Sequence, residues 1–411
     1  MIPCGSFIRI FLCLTVVLSA GCGQSLFSFG KKTGEVSRPA APSEAASAHS
    51  LPLPASAEPS SAVKQPVCYD TGADYTLRYQ SSVLTEDVTL SGKVLIMGVV
   101  TIAPQATLRI QPGTTLSFAP DQNGQQDGAL VIQGRIEAVG TADALIVFKG
   151  ATSDKSRASW RGILALGSEK KNQFEYCRIE SASIGLDSIF SIISLKNTVF
   201  LSCGTGVRLQ GSLFQALGGG VSGSDRGFIL HDSESFLRDI SCADNITGVA
   251  LSRGSLSVQD SSFTGNAASA LEAVDSKIKI SGSVFSGNVT GLVLTGTEGS
   301  VANCKLRENR EYGLQLVHAR VKIFANQIYL NTGIGIMADS GSSAAWGNNI
   351  SRNGLYDFYH AGSEDFRAIG NWWGVPPGNG QQRRIFDKAA DQKSGTVLTF
   401  PELTSMPSGL Q

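Results

Sequence analysis

Six asparagines, Asn245, Asn266, Asn288, Asn309, Asn331 and Asn353, stand 21, 22, 21, 22 and 22 residues apart. Three positions before each lies an apolar residue: Cys242, Phe263, Phe285, Leu306, Ile328 and Ile350. The register extends backwards through Ser224, Cys203 and Ala182, with Val221, Phe200 and Ile179 three positions earlier. A glycine column follows at Gly185, Gly206, Gly227, Gly248, Gly291, Gly313 and Gly335, interrupted by Ala270, and after each the chain alternates, as in "GVALS" and "GLVLT". Alternation is the period of a strand, and short strands recurring at this interval read as a solenoid of β-rungs.

In such a coil equivalent residues stack about 4.8 Å apart. An inward amide then donates to one neighbour and accepts from the other, whereas a lone buried amide would cost about 1–3 kcal/mol. A leucine-rich repeat has a similar period, but its LxxLxLxxN pattern and helical segments have no counterpart here. The fold expected is all-β: a single-stranded, right-handed parallel β-helix of 21–22 residues per rung with capped ends. Right-handedness is the general chirality of parallel crossovers.

The first residues, "MIPCGSFIRIFLCLTVVLSAGC", place Arg9 before an apolar run, Ile10 to Leu18, that is too short to span a bilayer. "LSAGC" resembles the lipobox of bacterial lipoproteins, which implies lipidation of Cys22, and Gly23 after it points to the outer membrane. Residues 23–66, rich in Ala, Ser and Pro, cannot bury a core and read as a tether spanning about 35 Å as a random coil. The organisation expected is a signal peptide over 1–22, tether over 23–66, N-terminal cap over 67–92, parallel β-helix over 93–374, and C-terminal cap and tail over 375–411. Lys plus Arg balances Asp plus Glu at 34 each, so no net field recommends nucleic acid as a partner.

"ATLRIQPGTTLSF", "GRIEAVGTADALIVFKG" and "WRGILAL" before "FEYCRIESA" resemble bacterial secreted proteins of the right-handed parallel β-helix family, with pectin-lyase-like architecture. "IGNWWG" at 369–374 is similar to the closing motif many of them carry, and Trp372 and Trp373 with the following residues are expected to fold over the last rung. The resemblance specifies fold and leaves activity open. Relatives of this shape include polysaccharide lyases and epimerases, some of which use calcium.

Five cysteines follow the leader: Cys68, Cys177, Cys203, Cys242 and Cys304. Cys177 and Cys304 share a column six rungs apart, about 29 Å, and Cys203 and Cys242 lie two rungs apart, too far for a disulfide. They read as small buried hydrophobes. "GGGVSG" at 218–223 satisfies a nucleotide-loop pattern with no helix after it, and is a product of Gly-rich turns.

Function on such a coil resides on outward columns. One reads Asp232, Arg253, Asp275, Gly296, His318, with Asp339 beside the next position. Asp232 and Asp275, two rungs apart at about 9.6 Å, match the wide carboxylate pair of an inverting glycosidase; Asp232, Asp275 and His318 are the catalytic candidates. A second group, Arg307, Tyr312, Tyr329, Arg352 and Tyr356, offers aromatic faces and planar donors for sugar binding. The leading reading is a non-catalytic, lipid-anchored envelope protein that binds glycan or surface partners without a cofactor. The alternatives are a polysaccharide-active enzyme, for which calcium would be the metal, and periplasmic copper delivery. Four Met and four His, unclustered, speak against copper.

Overall fold

The computed structural model describes residues 74–125, 127–152, 158–378 and 384–408. The expected leader with Cys22, the tether and Cys68 lie outside the described residues. The chain is a right-handed β-solenoid of about 13 turns, all strands paired in parallel and no helix among the described residues.

One rung shows how sequence builds the coil. Glu234–Arg238, Ser241–Ala243 and Thr247–Ser252 are its three strands, belonging to faces that we call B, C and A in that order. Between them stand three corners, and in each the residue after the strand has positive φ: Asp239 (56°), Asp244 (55°) and Arg253 (50°). A left-handed residue reverses the pleat, so the next side chain turns inward. Gly, Asn and Asp tolerate that conformation best, and the corner columns are accordingly rich in them. The C–A corner carries Ser202, Gly223, Asp244, Gly265, Gly287 and Glu308, all with positive φ.

The residue after a left-handed position turns inward, and where it is Asn or Ser it joins a ladder. At the C–A corner the backbone N–H and Nδ2 of Asn266 both donate to Asn288 Oδ1, at 2.9 Å each, and Asn288 does the same to Asn309 at 3.1 Å. The second amide hydrogen goes to a main-chain carbonyl, Asn288 Nδ2 reaching Phe263 O at 3.1 Å. Each of these ladder amides thus sends its backbone N–H and one amide hydrogen to the next rung on the C-terminal side, and the other amide hydrogen to the rung before. The last one, Asn353, meets a pure acceptor: its N–H and Nδ2 donate to Asp357 Oδ1 at 3.0 and 2.8 Å. Burial raises the Asp357 carboxyl above its ordinary range, against the lowering effect of those bonds and of Arg384.

A second ladder, not expected from the sequence, occupies the B–C corner. Cys304 N–H donates to Asn326 Oδ1, Asn326 to Asn348, and Asn348 to Asn371, all at 2.9–3.0 Å. Asn371 is the Asn of "IGNWWG". At the A–B corner serines do a reduced version of the same work: Ser191 and Ser212 N–H donate to Ser212 and Ser233 Oγ at 3.2 and 3.1 Å.

The apolar column expected three positions before the Asn is continuous from Ile179 through Phe200, Val221, Cys242, Phe263, Phe285, Leu306 and Ile328 to Ile350, each paired with the next. All nine are buried. Phe263 and Phe285 stack with ring centroids 4.9 Å apart and planes 4° from parallel. The glycine column is a matter of close approach: a Cβ on Gly227 would fall 2.3 Å from Gly248 O and 2.8 Å from Cys242 Sγ. Cys177, Cys203, Cys242 and Cys304 are free and buried, and burial pushes the Cys242 and Cys304 thiols up to about 12.

The ends continue the same pairing. Leu77–Leu84 and Val88–Leu90, within the segment expected to cap the N-terminus, pair in parallel with Lys93–Ile102 and Thr107–Ile110. At the other end Trp373 is buried 6.5 Å from Phe358, while Ile385–Phe386 and Val397–Leu398 add the last two short strands.

Candidate functional site

The expected catalytic residues Asp232, Asp275 and His318 stand in the left-handed column of the A–B corner, with φ of 47°, 47° and 50°; Arg253, Gly296 and Ser340 belong to the same column. Arg253 grips Asp232 through Nε at 3.0 Å and Nη2 at 3.3 Å, and that bond holds the Asp232 carboxyl below its ordinary range. Asp275 lies against Gly296: a Cβ there would come 2.3 Å from Asp275 Oδ1. The same contact recurs at the other corners, as Asp260 over Gly282, Asp244 over Gly265 and Asn197 over Gly218. Carboxylates in this column therefore have a conformational reason to be there.

Asp232, Arg253, Asp275 and Gly296 nevertheless share one polar hollow of about 620 Å³ with Glu234, Ser255, Lys277 and Glu298. His318, exposed, does not line it. Among the described residues no group of three or more His, Cys, Asp or Glu side chains could hold a metal ion. With Asp232 engaged by Arg253, the column does not fit the calcium that a polysaccharide-active relative implies, and the buried thiols offer copper no cluster.

The second expected group is spread over two faces and a corner. Arg307 and Tyr329 are register neighbours on face C, and Arg307 Nη1 bonds Glu308 at 2.8 Å. Tyr312 and Tyr356 share a column on face A with Ile334 between them. Tyr356 packs against Tyr359 and Phe386 at 5.6 and 5.7 Å, near the C-terminal end, and Arg352 is a left-handed corner residue at φ 59°.

A third surface had no signal in the motif reading. On the outer side of face B a groove of about 700 Å³ crosses successive rungs. One outward column runs Ile192, Leu213, Glu234, Ser255, Lys277, Glu298, and its neighbour runs Ser194, Gln215, Phe236, Ser257, Lys279. Ser255 and Ser257 are small where their neighbours are long, so the surface dips between Leu213 with Phe236 on one side and Lys277 with Lys279 on the other. Leu213 is 50% exposed. Ser235, between the outward Glu234 and Phe236, turns into the coil, and its buried Oγ has no hydrogen-bond partner among the described residues. The groove opens into the corner hollow through Glu234, Ser255, Lys277 and Glu298, which line both. An apolar wall at Leu213 and Phe236, facing a polar one across a floor of serines, suits a ligand with C–H faces and hydroxyl edges.

Among solved structures the chain is similar to the periplasmic alginate epimerase AlgG, at 12% identity over 68% of this chain and 76% of that one, with a TM-score of 0.40. It is also similar to an alginate lyase from Paenibacillus sp. str. FPU-7, at 13% identity over 69% of this chain and 93% of that one, TM-score 0.29. A third likeness is the A-module of the Azotobacter vinelandii mannuronan C-5 epimerase AlgE6, at 9% identity over 80% and 92%, TM-score 0.23. A comparison with curated proteins finds no significant match. The family model for the pectate-lyase-like beta helix domain matches residues 82–186, and that for the right-handed beta helix region matches 146–322 and 247–371, together more than half of the chain. The chain belongs to the right-handed β-helix family.

Proposed function

We propose that this protein binds an extended polysaccharide laid across the rungs of face B. The observation that carries the reading is the groove itself, with Phe236 and Leu213 partly or largely exposed beside Gln215, Ser255, Ser257 and Lys277. A half-buried aromatic and an exposed leucine on a rigid sheet are stabilised by covering, and a sugar ring covers them while its hydroxyls meet the polar side chains beside them. A glycan array with the full chain tests this: Phe236→Ala should weaken the best ligand at least about tenfold, consistent with the 1–3 kcal/mol of a buried aromatic contact. Undiminished binding by that variant would remove the groove from the account.

A second reading is turnover of the same polysaccharide in the adjoining hollow. Its support is that two carboxylates, Asp232 and Asp275, flank Arg253 next to the groove. Product analysis after incubation with array hits decides between the two. We further propose that the protein is exported and anchored through lipidated Cys22, with the tether holding the coil off an outer membrane. Labelling with a palmitate analogue should fail in Cys22→Ser, and label retained in that variant would refute the anchor.

A further inference from the structure

We propose that the outward column of face B headed by Phe236 reads the charge spacing of a linear polyanionic glycan; this rests on the groove reading above. In consecutive rungs the register runs Phe236, Ser257, Lys279, Ser300, Lys322, Ala344, Arg367. Large and small residues alternate throughout. Lys279, Lys322 and Arg367 are exposed, while Ser257, Ser300 and Ala344 are half-buried between them. At about 4.8 Å per rung the three cations recur about every 9.6 Å.

The fold does not ask for this pattern, because outward strand positions are not decided by packing. Several arginines elsewhere on the coil are paired, as Arg109 is with Asp87 and Arg208 with Asp187. Lys279, Lys322 and Arg367 make no ion pair among the described residues. On one flank stand three carboxylates: Glu234 beside Phe236, Glu298 engaged by Arg320 at 3.3 Å, and Asp365, two residues before Arg367, which accepts the N–H of Thr396 at 2.8 Å. The other flank, Ser281, Ala302, Phe324 and Trp346, is uncharged and ends in a parallel aromatic stack with centroids 5.3 Å apart. Face B from Lys277 to Arg367 thus carries five cations, Lys277, Lys279, Arg320, Lys322 and Arg367, against two carboxylates, Glu298 and Asp365, on a chain of zero formal net charge. Such local imbalance attracts anions.

Spacing argues for a polymer. A solvated lysine alone holds an anion weakly, and linked anions that meet several cations in register gain by effective concentration. The sugar component follows from continuity with the groove at Phe236 and from the exposed Trp346 platform beside the cations.

The test uses the full chain and the triple variant Lys279→Gln, Lys322→Gln, Arg367→Gln, with calorimetry on four probes: an octauronate, a diuronate, the fully methyl-esterified octamer and a single-stranded DNA of equal charge. The octauronate should bind the parent at least about tenfold tighter than its ester, lose that advantage in the triple variant, and weaken with salt, while the diuronate shows no advantage. Equal affinity for acid and ester, an advantage kept by the triple variant, or DNA binding as tight as the octauronate would each overturn the proposal. If acid and ester bind alike and Phe236→Ala weakens both, the groove stands and the charge ruler falls. If neither sugar binds the parent, the groove reading itself has failed. An unchanged melting curve for the triple variant excludes misfolding.

Discussion

The A–B corner column and the open column of face B run side by side along one coil, and both carry the residue types associated with chemistry. The corner offers Asp232, Arg253, Asp275 and His318; the strand offers Phe236, Lys279, Lys322 and Arg367. At the corner the backbone supplies the reason: φ is positive at each position of the column from Phe190 to Ser340, and the Asp-over-Gly contact repeats at the other two corners. On the strand the backbone is extended, any side chain would serve the fold, and yet large and small alternate. In a repeat protein a functional column is recognised by what stacking leaves unexplained.

The comparison is broken most severely by removing what holds a corner from inside. In Asn288→Ala the N–H and Nδ2 of Asn266 lose their shared acceptor and Phe263 O loses a donor. Buried orphans cost about 1–3 kcal/mol each, so a loss of about 3 kcal/mol in urea unfolding is expected. A loss below about 0.5 kcal/mol would mean the amide column is ornamental.

Next in size is the end of that ladder. Asp357→Ala orphans two donors of Asn353 and should cost about 2 kcal/mol. Asp357→Asn keeps the acceptor without the charge. Because the folded-state pKa of Asp357 is raised above 3.8, the native state binds the extra proton in the window above that value. Its stabilising contribution is therefore full below the unfolded pKa and fades as pH rises through the folded one. Unfolding midpoints of the parent should fall relative to Asp357→Asn across this window, and parallel pH profiles would contradict the assignment.

Much of this architecture was legible because stacking writes itself into sequence. The Asn register, the apolar column and the glycine column each require one residue type at one period, and all appear where the spacing puts them. The second ladder escaped notice because its amides, Asn326, Asn348 and Asn371, are few and start only after Ile240, Ser261 and Cys304 have held the same position. The corner column was legible as an outward row, but its cause is a torsion angle that sequence shows only as a recurrence of Gly, Asn and Asp. The groove was illegible for a different reason. A depression arises where Ser255 and Ser257 sit between longer neighbours on separate rungs, and no linear motif records a difference in side-chain length 21 residues apart.

The smallest expected effect sharpens the comparison most. Asn tolerates the left-handed region as readily as Asp, so Asp275→Asn keeps the corner and removes only the charge. Stability should change by less than about 0.5 kcal/mol, and affinity for a groove-bound polysaccharide should stay within about twofold, since Asp275 lines the hollow beside the groove and not the groove itself. The pair of readouts separates the columns. Unchanged folding and binding place Asp275 among the turn residues. Unchanged folding and binding with loss of product formation, in a preparation that turns polysaccharide over, would move it to the chemistry and show that a corner carboxylate can hold both roles.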